Sequence, residues 1–107
     1  MYIPTQFQSA RNRRREELIC QVAEQCTREL NAEIGARPRM DLSELRGYVR
    51  ARAAVPVRKQ TQLATIKLEL DAITVAEIRD AALERTVRLV VRDQRMRYQP
   101  PIVRRAA

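Results

Sequence analysis

The sequence contains no histidine. That removes the commonest general base near neutral pH, the commonest neutral metal ligand, and every nucleophile activated by an imidazole. Glycine occurs only as Gly35 and Gly47, which excludes a glycine-rich loop able to cradle a phosphate. The two serines, Ser9 and Ser43, read better as helix-start residues than as nucleophiles. Tryptophan is absent and Phe7 is the single phenylalanine, so the core must be built from Leu, Ile, Val and Ala. Such a core buries little area per residue, and a chain of 107 residues is then modestly stable unless a second chain contributes.

No apolar run approaches the roughly 18 residues that span a bilayer. Residues 1–10 also lack the apolar centre of a signal peptide, so the expectation is a cytoplasmic protein with no membrane contact. Cys20 and Cys26 agree with this. Six apart on a predicted helix, they face different sides and read as small buried hydrophobes. Without histidine they do not make a zinc site. The nearest approach to a catalytic group is Lys67, Glu69 and Asp71, which would share one face of a strand and could hold Mg²⁺. A solvated charged face explains them with fewer demands. We therefore expect no enzyme, no catalytic residue, no metal site and no cofactor.

What the sequence has in excess is arginine. Nineteen of its 21 basic residues are Arg, and the net charge is +8. The excess is uneven. Residues 1–15 carry +4 and residues 16–35 carry −4. Residues 36–59 carry +5, residues 60–93 carry −1, and residues 94–107 carry +4. Basic blocks that flank near-neutral or acidic helices suit an acidic polymer or an acidic protein surface. Arg supplies bidentate contacts to phosphate or carboxylate, although GC-rich codon usage would produce the same excess.

Periodicity predicts a mainly α fold, a small domain of about four helices with flexible basic termini. Residues 1–8 read as an irregular lead-in, 9–93 as a single helical domain, and 94–107 as a basic tail. In the first helix, capped by Ser9, the residues Leu18, Ile19, Val22, Ala23, Cys26, Leu30 and Ile34 recur at spacings of three and four, and Gly35 supplies a left-handed stop. The second opens at Asp41, with Glu44 completing a capping box, and should end before Pro56. Leu63, Ile66, Leu70 and Ile73 fit a third helix. Thr74 and Glu77 form the capping box of a fourth. Apolar and charged residues alternate at 64–70 and 86–92, so an α+β fold with short strands there is the alternative.

The candidate binding residues are Arg11, Arg13, Arg14 and Arg15 in the N-terminal cluster, Arg46, Arg50, Arg52, Arg58 and Lys59 in the centre, and Arg95 and Arg97 near the end. The central group surrounds Val55, Pro56 and Val57. If these form a turn, residues 59–70 could act as the reading helix of a helix-turn-helix, with Gln60, Thr61 and Gln62 facing base edges. The aromatic residues are too scattered for a base-stacking platform. The leading expectation is a nucleic-acid-binding regulatory or accessory protein, with DNA favoured. The alternative is a protein-interaction module (adaptor, inhibitor or assembly subunit) whose Arg-rich face docks on an acidic partner. A homodimer is expected in either case, because residues 83–91 are apolar on nearly all sides.

Overall fold

A computed structural model describes residues 5–35 and 41–97, which form three helices. These are α1 (Thr5–Ile34), α2 (Leu42–Leu68) and α3 (Ala72–Arg97), and each packs on both others. The mainly helical class is as expected. Among the described residues the helix count is three, not four; of the strands considered, 86–92 is helical throughout, and 64–70 is helical to Leu68 and then turns.

α1 starts at Thr5, inside the expected lead-in, directly after Pro4 in the sequence. Proline is well tolerated at a helix start, where its missing N–H has no intrahelical role. Ser9 therefore lies within the helix and not at its cap. The arginines at 11–15 fall beyond the first turn, where the unfavourable dipole has largely faded. Gly35 ends α1 as expected. Its φ of +64° is a left-handed conformation, and its N–H donates to the Asn31 carbonyl at 3.1 Å.

α2 opens on the expected capping box. The Asp41 carboxylate accepts the Glu44 N–H at 2.9 Å, and the Glu44 carboxylate accepts the Asp41 N–H at 3.1 Å. The expected break at Pro56 does not occur. An interior proline costs about 3 kcal/mol through its lost hydrogen bond and ring clash. Here Ala53, Val57 and Thr61 are buried on either side of it, and their packing carries the helix through. α2 ends at Glu69, whose left-handed backbone (φ 52°) points its N–H at the Thr65 carbonyl, 2.8 Å away. The start of α3 is also displaced from expectation. The Asp71 carboxylate accepts the Thr74 N–H at 2.7 Å, so Asp71 and not Thr74 stands at the cap. Glu77 pairs instead with Arg15 of α1 at 2.7 Å.

The core is made of three rows with a spacing of four. Val22, Cys26, Leu30 and Ile34 come from α1, and Leu45, Val49, Ala53, Val57 and Thr61 from α2. Ile78, Ala82, Thr86, Val90 and Gln94 come from α3. Rows of this spacing form the ridges that interlock when helices pack. Thr61 and Thr86 are tolerated inside because each hydroxyl donates to the carbonyl four residues back, Val57 and Ala82, at 2.7 Å. The pairs Arg15–Glu77, Glu16–Arg85 and Asn31–Asp93 show that α1 and α3 run parallel. α2 runs antiparallel to both, tied by Arg52–Glu33 on one side and Arg50–Glu84 on the other. These ion pairs are largely exposed and screened by solvent, so they fix register more than they hold the fold.

One further expectation changes here, and the ground for a second shifts. Val87, Val90 and Val91 are buried by the chain's own helices, and Leu83 and Leu89 are half-buried. The apolar stretch that motivated a dimer is thus covered internally. The helix-turn-helix is absent, because Val55, Pro56 and Val57 lie in mid-helix. Thr61, expected at base edges, is 1% exposed.

Candidate functional site

The first turns of α2 and the second half of α3 enclose an open groove of about 770 Å³. Its walls carry Arg46 and Arg50 from α2, and Arg88, Arg92 and Arg95 from α3. Leu42, Val87, Val91 and Met96 supply apolar lining, and among the described residues Glu84 is the one acidic member. The geometry follows from helical spacing. Arg46 and Arg50 are four apart, while Arg88, Arg92 and Arg95 follow at four and three, so each set shares a helix face. The antiparallel packing of α2 on α3 then brings the two sets together. The groove lies on the α2–α3 seam away from α1. α1 instead meets α2 through Arg52–Glu33 and α3 through Glu16–Arg85 and Asn31–Asp93.

Glu84 is already engaged. Both terminal guanidinium nitrogens of Arg50 donate to its carboxylate, one of them at 3.1 Å. The hydrogen bond from Arg50 holds the Glu84 carboxyl below its usual range, partly opposed by burial and aided by the charges of Arg50 and Arg88. The same bond raises the pKa of Arg50. Arg92 contacts Asp93, its neighbour in sequence, at 3.1 Å. Among the described residues no ion pair involves Arg46, Arg88 or Arg95. The groove therefore offers anion-binding capacity that the fold itself does not consume. Guanidinium groups are permanent donors that cannot exchange a proton near neutral pH, so this chemistry is recognition of carboxylate or phosphate.

The residues predicted from sequence do not form one surface. Arg46, Arg50 and Arg95 meet in the groove. Arg52 points to the opposite flank of α2, where it pairs with Glu33 at 3.2 Å and lies 5.7 Å from the centre of the Tyr48 ring. Arg58 lines a small hollow beside Arg79 and Asp80, and Lys59 is exposed. Arg13 and Arg14 are exposed at the other end of the molecule, and Arg15 is committed to Glu77. Arg11 and Arg97 lie in α1 and α3, but their side chains fall outside the described residues. Sequence reasoning missed Arg88 and Arg92, which it noted only within the alternative strand pattern at 86–92. Their helical spacing with Arg95, beside Val87 and Val91, was the signal that would have found them. Lys67 and Glu69 are exposed at the end of α2 while Asp71 caps α3, and no metal-binding cluster of carboxylates or thiols occurs among the described residues.

A second, more apolar hollow of about 640 Å³ lies between α1 and α2, with Leu18, Val22, Leu63, Ile66 and Leu68 in its lining. No described helix is long and apolar enough to cross a membrane. No family model matches the chain, and neither the curated proteins nor the solved structures include a significant match to it.

Proposed function

We propose that this protein is a protein-interaction module, an adaptor, inhibitor or assembly subunit, that docks its arginine-walled groove on an acidic protein partner without catalysis. The observation that carries the reading is the combination in one groove of five arginines, a single already-paired carboxylate and an apolar lining. Permanent charge outside and apolar surface beneath match a protein surface that presents carboxylates around apolar side chains. The two free thiols fit a reducing compartment such as the cytoplasm.

Nucleic acid, with DNA favoured, is the second reading. It draws on Arg13 and Arg14, exposed beyond the groove, and on the total charge of +8, which suit a long polyanion. The continuity of α2 through Pro56 weakens it, since the helix-turn-helix that would have read bases is absent. Self-association, the remaining part of the proposal, would draw on apolar residues the helices leave exposed, such as Leu63, Ile66 and Ile73. Sedimentation equilibrium at high micromolar concentration tests it, and monomer alone rejects it.

The test of the main reading is cross-linked co-purification from the native host after nuclease treatment. Wild type is compared with an Arg46→Glu/Arg88→Glu/Arg95→Glu variant. A partner with an acidic contact segment should be captured by the wild type and lost with the variant. If nuclease abolishes all capture, the nucleic-acid reading takes its place.

A further inference from the structure

We infer that the segment received by the groove is an amphipathic acidic α-helix, which lies along the α2–α3 seam as a fourth helix. The inference rests on the acidic-partner reading and deepens it.

The length of the site comes first. From Glu84 to Arg95 the lining of α3 covers about 17 Å, three helical turns, and Leu42, Arg46 and Arg50 of α2 run alongside for about 12 Å. The floor is a seam between two antiparallel helices. A third helix can seat its side-chain ridge in such a seam over three turns, with anchors at i, i+3 or i+4, and i+7.

The distribution of polarity comes next. Met96 is 65% exposed and Leu42 38% exposed, although both sit in a strongly polar neighbourhood. Val87 and Val91, nearly covered, form an apolar floor beside Leu42, and Met96 stands beyond Arg92 on the outer face of α3. Arg46 rises from α2 on one side of this floor, and Arg88, Arg92 and Arg95 rise from α3 on the other, between the floor and Met96. A complementary ligand carries an apolar stripe flanked on both sides by carboxylates. A helix produces that pattern directly, because residues three and four apart share a face while their neighbours fall to its flanks. A phosphate backbone supplies the charge but has no counterpart for the floor of Leu42, Val87 and Val91. An extended acidic segment turns alternate side chains away from the groove. The adaptable Met96 side chain suits an apolar anchor of varying shape. The free guanidinium groups of Arg46, Arg88 and Arg95 can each close on a carboxylate with paired hydrogen bonds.

The probe is a fluorescein-labelled peptide of about 14 residues, long enough for three to four turns. It carries Leu at successive spacings of four, three and four, with Glu on both flanks of that stripe. Three further probes are its scrambled sequence, its Gln-for-Glu analogue, and a single-stranded DNA of similar length. Fluorescence anisotropy on the full chain should show the amphipathic Glu peptide binding at least about tenfold tighter than either altered peptide. Circular dichroism should show the peptide gaining helix when bound. Met96→Asp, and separately Arg88→Glu combined with Arg95→Glu, should each weaken binding by about tenfold with helix content unchanged, since all three residues are exposed. Equal binding of the scrambled Glu peptide overturns the helical ligand and leaves the acidic-partner reading standing. Equal binding of the Gln analogue, DNA binding without peptide binding, or no binding at all overturns both.

Discussion

The Gln94 side chain of α3 donates a hydrogen bond to the carbonyl of Gly35, the residue that stops α1, at 2.5 Å. Gln94 is 1% exposed, so a polar side chain in the last turns of one helix is spent on closing the end of another. Replacing Gln94 by Leu leaves that carbonyl without its donor. It should lower the free energy of unfolding by about 1–3 kcal/mol, the desolvation cost of an orphaned buried group. Urea titration measures it, and a loss below about 0.5 kcal/mol would show that water takes over the bond.

The two glycines should respond to alanine in opposite directions. A side chain at Gly35 meets no atom within 4 Å, but its φ of +64° penalises any Cβ, so Gly35→Ala should destabilise by about 1 kcal/mol. Gly47 lies in mid-helix with equally open surroundings, so Gly47→Ala should stabilise by about 0.5–1 kcal/mol. Thermal melts of the two variants decide it. A shared sign contradicts the prediction.

Pro56→Ala should stabilise α2. Alanine restores an N–H for the Arg52 carbonyl and removes the ring clash, worth about 3 kcal/mol. The gained freedom of the unfolded chain subtracts up to about 1 kcal/mol. A net gain near 2 kcal/mol in urea is expected. A loss would mean that the half-buried ring packs better than any methyl group can.

Cys26 should make the fold sensitive to alkali. Burial, aided by the nearby Glu29 charge, pushes its thiol from 9.0 up to about 11. The unfolded chain releases this proton first, so between those values the native state binds more protons and stability falls as pH rises. The full effect is at most about 2–3 kcal/mol. Unfolding curves from pH 8 to 11 should show a decline that is shallower in Cys26→Val. Native-state alkylation at pH 8 should mark the partly exposed Cys20 and spare Cys26. Labelling of both at equal rates would refute the difference.

Glu84→Gln should strengthen binding of an acidic peptide several-fold, because it releases Arg50 from its present carboxylate. Arg50→Ala should do the reverse. Anisotropy titrations at two salt concentrations check both, with the larger separation at low salt. An unchanged affinity in Glu84→Gln would place Arg50 outside the binding surface.

Local signals were legible in the sequence and long-range ones were not. Gly35 and the pair Asp41 and Glu44 act within a few residues, and both do in the structure what their chemistry demands. Pro56 misled because its local cost was outweighed by burial of Ala53, Val57 and Thr61, which sequence order does not reveal. The apolar row of α2 was hard to see for a geometric reason. A spacing of four advances about 40° around the helix at each step, so over 27 residues the stripe drifts and its polarity averages out. Asp71 displaced Thr74 because either could cap, and Glu77 was drawn to Arg15 on another helix. The groove was half legible. Arg46, Arg50 and Arg95 were identified, but their meeting with Arg88 and Arg92 depends on the antiparallel packing of α2 and α3.

The three-residue turn at Glu69, Leu70 and Asp71 bears on the order in which the molecule assembles. Closing a loop this short costs little chain entropy, and helix growth on either side takes well under a millisecond. α2 and α3 can thus zip outward from the turn as a local hairpin, before α1 finds its register some sixty residues away. Among the described residues, the walls of the groove all belong to that hairpin. A chain that folds outward from this turn therefore forms its arginine surface before α1 docks. α1 acts as a late-docking cover over the opposite side of the seam, and the first amides to exchange with solvent should be its own.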